Sequence, residues 1–182
     1  GKIRQYGALY HEDDLKVNKF GINKWGTNWA KYSNQKVIYT NLYSKLFSLA
    51  FNKFALLDNK GIGIEMEAGK PGWNDAMNGL PGLFASGVSE TFETKKIVDY
   101  LLSVTAKYPD GIVFLTNELK SFMKKVEKAI ANYSDEFTYW DNVATAREEY
   151  REELRLGATG EVEVKTSSLS KLLRKMQSKL NT

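Results

Sequence analysis

The chain has no cysteine, one histidine and three prolines in 182 residues. The missing cysteine excludes disulfides, thiolate metal sites and thiol nucleophiles together. It fits a reducing compartment, so a cytoplasmic setting is expected. His11 alone cannot build a multi-histidine zinc site, and a Ser-His-Asp triad would depend on that one residue. No metal is expected. No apolar run approaches the ~18 residues of a membrane-spanning helix, and no signal peptide opens the chain. No membrane partner is therefore expected. Charge of one sign is scarce too: 26 Lys and Arg stand against 22 Asp and Glu, a net +4, with no run of five like charges. A solvated lysine-rich surface accounts for that balance, and no nucleic-acid partner is expected. The chain begins at Gly1 without a methionine, which reads as a segment of a larger protein.

What is present suits one helical domain. Aromatic residues make up 13% of the chain, and the length supports a core. Residues 1–36 mix Tyr6, Tyr10, Phe20, Trp25, Trp29 and Tyr32 with glycines, asparagines and charges. They read as an irregular aromatic-rich lead-in packed over something else. From residue 37 the periods are helical. A helix over 37–58 has one face of Leu42, Leu46, Leu49, Ala50, Phe54 and Leu57 and a second of Tyr39, Tyr43, Phe47 and Phe51. Asn59 and Gly61 are expected to stop it. A second helix, 89–107, carries Val98, Leu101, Leu102 and Thr105, with Ser89 as N-cap. Tyr108-Pro109-Asp110-Gly111 reads as a turn with Gly111 at positive φ. Ile112 to Leu115 is a short buried piece. Thr116 caps a helix to about Tyr133, and Ser134 opens another to about Leu156. That helix carries Phe137, Trp140, Val143, Ala144, Arg147, Tyr150 and Leu154, and local ion pairs are expected along its charged face, Arg147-Glu148-Glu149 through Arg155. Val162 and Val164 alternate with charges as a short exposed strand. Ser167 or Ser168 caps a final helix bearing Leu169, Leu172, Leu173, Met176 and Leu180. The class is all-α, with room for one small strand pair. Residues 37–182 form the helical domain.

One stretch follows neither period. Gly61 to Glu93 holds seven of the fourteen glycines and two of the three prolines. Its apolar content, from Ile62 to Phe84, is too high for a solvated tether. Irregular loops of this length in compact domains are usually functional, so loop 59–88 is expected to carry the site. Within it Trp73, Asn74 and Asp75 sit in backbone made compliant by Gly69 and Gly72 and stiffened by Pro71. An indole is a flat plate that stacks on the apolar face of a sugar ring. A carboxyl beside an indole loses water on one side, which raises its pKa toward that of a general acid. Asparagine can bind sugar hydroxyls.

These residues have a family likeness. GKPGWNDAMNGLPGLF with SETFE resembles the inverting glycoside phosphorylases of the cellobiose and β-1,2-oligoglucan phosphorylase group, glycoside hydrolase family 94. YWDNVATAREEYREELRLG is similar to the large oligoglucan-phosphorylase-like branch. The resemblance spans roughly residues 42–157. It implies an all-α fold, a fragment of an (α/α)6 barrel with a long glycine-rich active-site loop. By position Asp75 matches the general acid and Trp73 the sugar-stacking residue, and Asn74, Met77 and Asn78 match the rest of the motif. Glu67 is a candidate sugar ligand. The small-enzyme version has aspartate directly before the tryptophan; this chain has Gly72. The implied reaction uses inorganic phosphate as co-substrate, with no cofactor, and yields α-glucose 1-phosphate. Lys70, Arg147 and Arg151 are possible phosphate donors, but none has the spacing of a phosphate cradle. The rest of that cradle is expected on other parts of the parent polypeptide. Two alternatives stand beside this: an inverting hydrolase with Asp75 as acid and Glu65 or Glu67 as base, and a non-catalytic helical carbohydrate-binding module.

Overall fold

The computed structural model describes residues 30–65 and 86–181. Five α-helices and two short strand pairs lie within them. Mostly helical architecture agrees with the class expected from the sequence, with two strand pairs where room was left for one.

Helix α1, Leu42–Phe54, starts where the Asn41 side chain accepts a hydrogen bond from the Ser44 amide at 2.8 Å. It ends earlier than expected, at Ala55 rather than at Asn59 or Gly61. Its core face is Phe47, Ala50, Phe51 and Phe54, while Leu42 and Leu49 are exposed. The core thus draws on both expected faces, Phe47 and Phe51 from one and Ala50 and Phe54 from the other, while Tyr39 is exposed.

Strands β1 (Ile64–Glu65) and β2 (Ser86–Gly87) pair antiparallel. Helix α2, Val88–Lys107, follows β2 directly. Ser89 is not its cap: Gly87 holds that position and no side chain closes the first turn. α2 runs antiparallel to α1. At one end the Tyr43 hydroxyl lies 2.6 Å from that of Thr105; at the other Lys53 meets Glu90 at 2.7 Å. Thr105 donates to the Leu101 carbonyl, so Tyr43 is the donor in that pair.

The turn at Tyr108 closes as expected, with the Gly111 amide donating to the Tyr108 carbonyl at 3.1 Å. Gly111 does not use the positive φ expected of it; among the described glycines only Gly61 and Gly157 do. Residues 112–116 then form strand β3, whose inward side chains Val113 and Leu115 are buried while Ile112 and Phe114 face outward. β3 pairs antiparallel with β4, Glu161–Lys165, in the register Ile112 to Lys165 through Thr116 to Glu161.

Helices α3 (Asn117–Ala131) and α4 (Glu136–Glu153) form an antiparallel hairpin between those strands. Thr116 caps α3 as expected, accepting from the Leu119 amide at 3.2 Å. α4 is capped by Asp135, not Ser134, through the Thr138 amide at 2.9 Å. Its inner face holds Tyr139, Val143, Ala146, Arg147 and Tyr150, and Phe137 is exposed. A 3-10 turn at Leu154–Leu156 ends it. Helix α5, Thr166–Leu180, has Lys165 at its cap position and no side-chain cap, so neither Ser167 nor Ser168 serves. The Thr166 hydroxyl instead ties its start to the Tyr108 carbonyl. α5 lies along α2, where Gln177 donates to Asp99 at 2.6 Å. Its expected stripe of Leu169, Leu172, Leu173, Met176 and Leu180 is buried throughout.

The aromatic centre of the core joins three helices. Phe47 and Phe51 of α1 stack at 5.9 Å, Phe51 meets Phe122 of α3 edge-on at 4.9 Å, and Phe122 stacks on Tyr150 of α4 at 4.8 Å. Such pairs add stabilisation beyond the area they bury. No helix among the described residues is long and apolar enough to cross a membrane.

Candidate functional site

The expected site residues Trp73, Asn74, Asp75, Asn78 and Glu67 lie outside the described residues, as do Lys70 and Met77. What the structure describes is the neck from which that stretch departs and to which it returns. Ile64 pairs with Gly87 and Glu65 with Ser86. The chain therefore leaves and re-enters the fold at adjacent positions.

Asp58 organises one side of the neck. Its Oδ1 accepts from the Lys60 and Ile62 amides, each at 3.0 Å, and its Oδ2 from the Gly63 amide at 2.9 Å. The Ser86 hydroxyl donates to Oδ2 as well, which ties β2 to the turn. Aspartate suits such turns because its short carboxylate bonds to amides a few residues on. Burial pushes the Asp58 carboxyl up, but the Ser86 hydroxyl and the three amides together outweigh it, and the acid is held below its ordinary range. Gly61 turns the chain at φ +73°, and Gly63 leaves room that a side chain would fill: a Cβ there would stand 2.5 Å from the Ser86 oxygen. Thr91, on the first turns of α2, donates to the Ile62 carbonyl at 3.0 Å. The turn, β2 and α2 are thus fastened together.

Glu65 and Arg147 organise the other side. The Arg147 Nη1 donates to Glu65 Oε1 at 2.6 Å and to the Ala55 carbonyl at 3.1 Å, and its Nε meets Glu148 at 3.0 Å. Both side chains of the central pair are buried, 8% and 9% exposed. Burial raises the Glu65 carboxyl above its ordinary value, and the Arg147 guanidinium, with Arg151 behind it, offsets only part of that rise. Removing one member would leave an uncompensated buried charge, at a cost of about 3–5 kcal/mol. α4 is thereby pinned to both the end of α1 and the neck.

Two residues weighed from the sequence thus meet each other: the Glu65 carboxylate is buried against Arg147, and the Arg147 guanidinium is held by Glu65, the Ala55 carbonyl and Glu148. Arg151, half-buried one turn further along α4, lies 2.9 Å from Glu148. The remaining charged face is laced with local pairs as expected, Arg155 to Glu152 at 3.4 Å among them. The neck residues Asp58, Ser86, Thr91 and Arg147 were not singled out by sequence for this role. A signal existed for Asp58: Asp-Asn-Lys-Gly after an apolar run is turn chemistry. Nothing in the sequence pairs Glu65 with a residue 82 positions away.

Comparison with protein-family models, curated proteins and solved structures gave no match.

Proposed function

We propose that the chain is part of an inverting glycoside phosphorylase that cleaves a β-glucoside or β-1,2-oligoglucan with inorganic phosphate. The observation that carries this reading is the residue order Trp73-Asn74-Asp75 with Met77 and Asn78. It is supported by the position of that motif in the chain, between two strands paired with each other and fastened by Asp58 and by Glu65 with Arg147. A site needs a supporting shell of that kind if its groups are to hold a productive geometry. In this reading the helices are a section of an (α/α)6 barrel.

Asp75 gives its proton to the glycosidic oxygen as the bond to the anomeric carbon breaks. A phosphate oxygen attacks that carbon from the opposite face, so the β-linkage becomes an α-phosphate. The proton that hydrogen phosphate loses on forming the ester returns to Asp75 through solvent. Trp73 stacks on the sugar. Asn74, Asn78 and Glu67 bind its hydroxyls, contacts that count most as oxocarbenium character develops. One carboxyl suffices, because phosphate is already a nucleophile and no base is required. The donors that hold phosphate sit partly on the rest of the parent polypeptide. A cytoplasmic location goes with this reading, since a charged sugar phosphate stays on the side of the membrane where it is made.

The test is to incubate cellobiose and β-1,2-glucan oligomers with the chain, and with the longer polypeptide that carries it, with and without phosphate. Phosphate-dependent release of α-glucose 1-phosphate is expected. Asp75→Asn should lower turnover ~10²- to 10⁴-fold while sugar binding is kept. Sugar release without phosphate would make the protein a hydrolase. Sugar binding with no turnover under either condition would make it a binding module.

A further inference from the structure

Helices α3 and α5 are joined at both ends. At the start, β3 runs straight into α3 and β4 into α5, and the two strands are paired. At the far end Lys179 of α5 stands over the ring of Tyr133, just past α3, 5.8 Å from its centroid. Each helix turns its apolar stripe inward. Leu119, Phe122 and Val126 on α3 and Leu169, Leu172 and Met176 on α5 are all buried. The opposite faces are basic. Lys120, Lys124 and Lys128 recur at four-residue steps on α3, about 6 Å apart along its axis. Lys171, Arg174 and Lys175 hold the outward side of α5.

Acids are scarce on these two helices. α5 has none. Of the two on α3, Glu118 is buried, where it accepts from the Thr159 amide and hydroxyl, so only Glu127 lies near the cations. On α2 and α4 bases meet acids instead. Lys95 pairs with Asp99 and Lys96 with Glu93, Arg147 and Arg151 pair with Glu148, and Lys125 of α3 reaches across to Glu149 and Glu153. None of the six outward cations has such a partner among the described residues. In sequence the acids of α4 separate the two basic groups, and the charge reads as dispersed. Folding sets them on neighbouring helices.

We propose that the outward faces of α3 and α5 bind the phosphate backbone of a nucleic-acid duplex. Lysine and arginine without acidic partners neutralise phosphates and release the counterions held there. Ser121, Ser167 and Ser178, set among the cations, supply hydroxyl donors for phosphate oxygens. The apolar side chains speak for the duplex over other polyanions. No large hydrophobic side chain of α3 or α5 is exposed. A helix that lies in a membrane surface buries such side chains in the lipid, and a single strand stacks its bases on aromatic plates. A duplex requires neither, because its bases stack on one another and its phosphates face outward. Contacts of this kind carry no base sequence.

The test is fluorescence anisotropy of a labelled DNA duplex of about 20 base pairs, titrated with the 182-residue chain at about 50 to 200 mM salt. Binding is expected at the low end. With about four phosphates neutralised, affinity should fall ~10²-fold across that range, equally for two unrelated sequences. Lys124→Gln with Lys171→Gln should reduce the slope of log affinity against log salt by about 2, with an unchanged helical spectrum. Lys45→Gln with Lys53→Gln removes the same charge from α1 and should leave the slope as it was. No binding at the lowest salt overturns the proposal. Equal losses in the two double variants overturn it as well, because net charge and not this face would then hold the duplex. So does tighter binding to a single strand of the same length, or binding to vesicles of anionic lipid without binding to the duplex.

Discussion

Asp58 shows how much one side chain can hold. Four donors converge on its two oxygens, three from its own turn and one from Ser86 across the neck. All four favour the ionised form, and the carboxyl is held below its ordinary 3.8 although burial opposes this. An acid whose folded pKa is depressed contributes stability that is full above the unfolded value and is lost as pH falls through the folded one. The window here lies below about pH 4. In Asp58→Asn the Ser86 hydroxyl can turn and accept from the new amide, but the Gly63 N–H would face a donor. The expected cost is about 1–3 kcal/mol at pH 7, with a flatter acid limb between about pH 4 and pH 2. Thermal unfolding of both proteins across that range checks it. Equal acid sensitivity in the variant would show that Asp58 does not carry the charge linkage. The sequence kept Asp58 as the last residue of a helix over 37–58 and read only the stop at Asn59 and Gly61, whereas the helix ends at Phe54 and Asp58 organises the turn after it. Its tie to Ser86 was not legible, since no local rule connects residues 28 positions apart.

At the scale of elements, helix identity was legible and helix starts were only partly so. α3 begins where the sequence put it, because Thr116 follows a strand and its hydroxyl reaches the Leu119 amide. Ser89 fails for a reason that sequence does not show. The chain reaches α2 already in strand β2, so the helix opens at Val88 and Ser89 falls within its first turn, exposed. Thr116→Ala should therefore cost about 1 kcal/mol. Ser89→Ala should change stability by no more than a few tenths of a kcal/mol, since alanine is the better helix former there. Urea midpoints of the two variants against the parent separate these outcomes, and a larger loss at Ser89 would restore it as a cap. The strands were harder. Ile112 to Leu115 has no polar residue and read as a buried piece, although half its side chains face outward. An apolar run cannot announce its own exposed side. The expected site residues lie outside the described residues, and the neck on either side of them is built from contacts distant along the chain, which no local pattern announces.

Across the whole molecule, the core chose among faces that sequence left equal. α1 is apolar on two sides, and period alone could not rank leucines against aromatics. Tertiary packing takes residues from both. Phe51 meets Phe122, and Phe122 meets Tyr150, so Phe51 closes on the α3–α4 hairpin with Ala50 and Phe54 buried beside it, while Tyr39, Leu42 and Leu49 stay outside. α4 shows the same selection in reverse. Phe137, apolar and named from the sequence, is 54% exposed, whereas Arg147, which opens the expected charged face, is buried against Glu65. Phe122 is the ring common to both contacts, and α1, α3 and α4 meet there. Phe122→Ala removes both ring partners and leaves a cavity between three helices that cannot all move inward. The expected cost is about 3–5 kcal/mol. Phe137→Ala, which truncates a ring of the same size at the surface, should cost no more than about 0.5 kcal/mol. Denaturant unfolding of the two variants makes the comparison directly, with the slope unchanged if both remain two-state. Equal losses would mean that Phe137 is covered in solution and that the ring at Phe122 is not what joins the three helices.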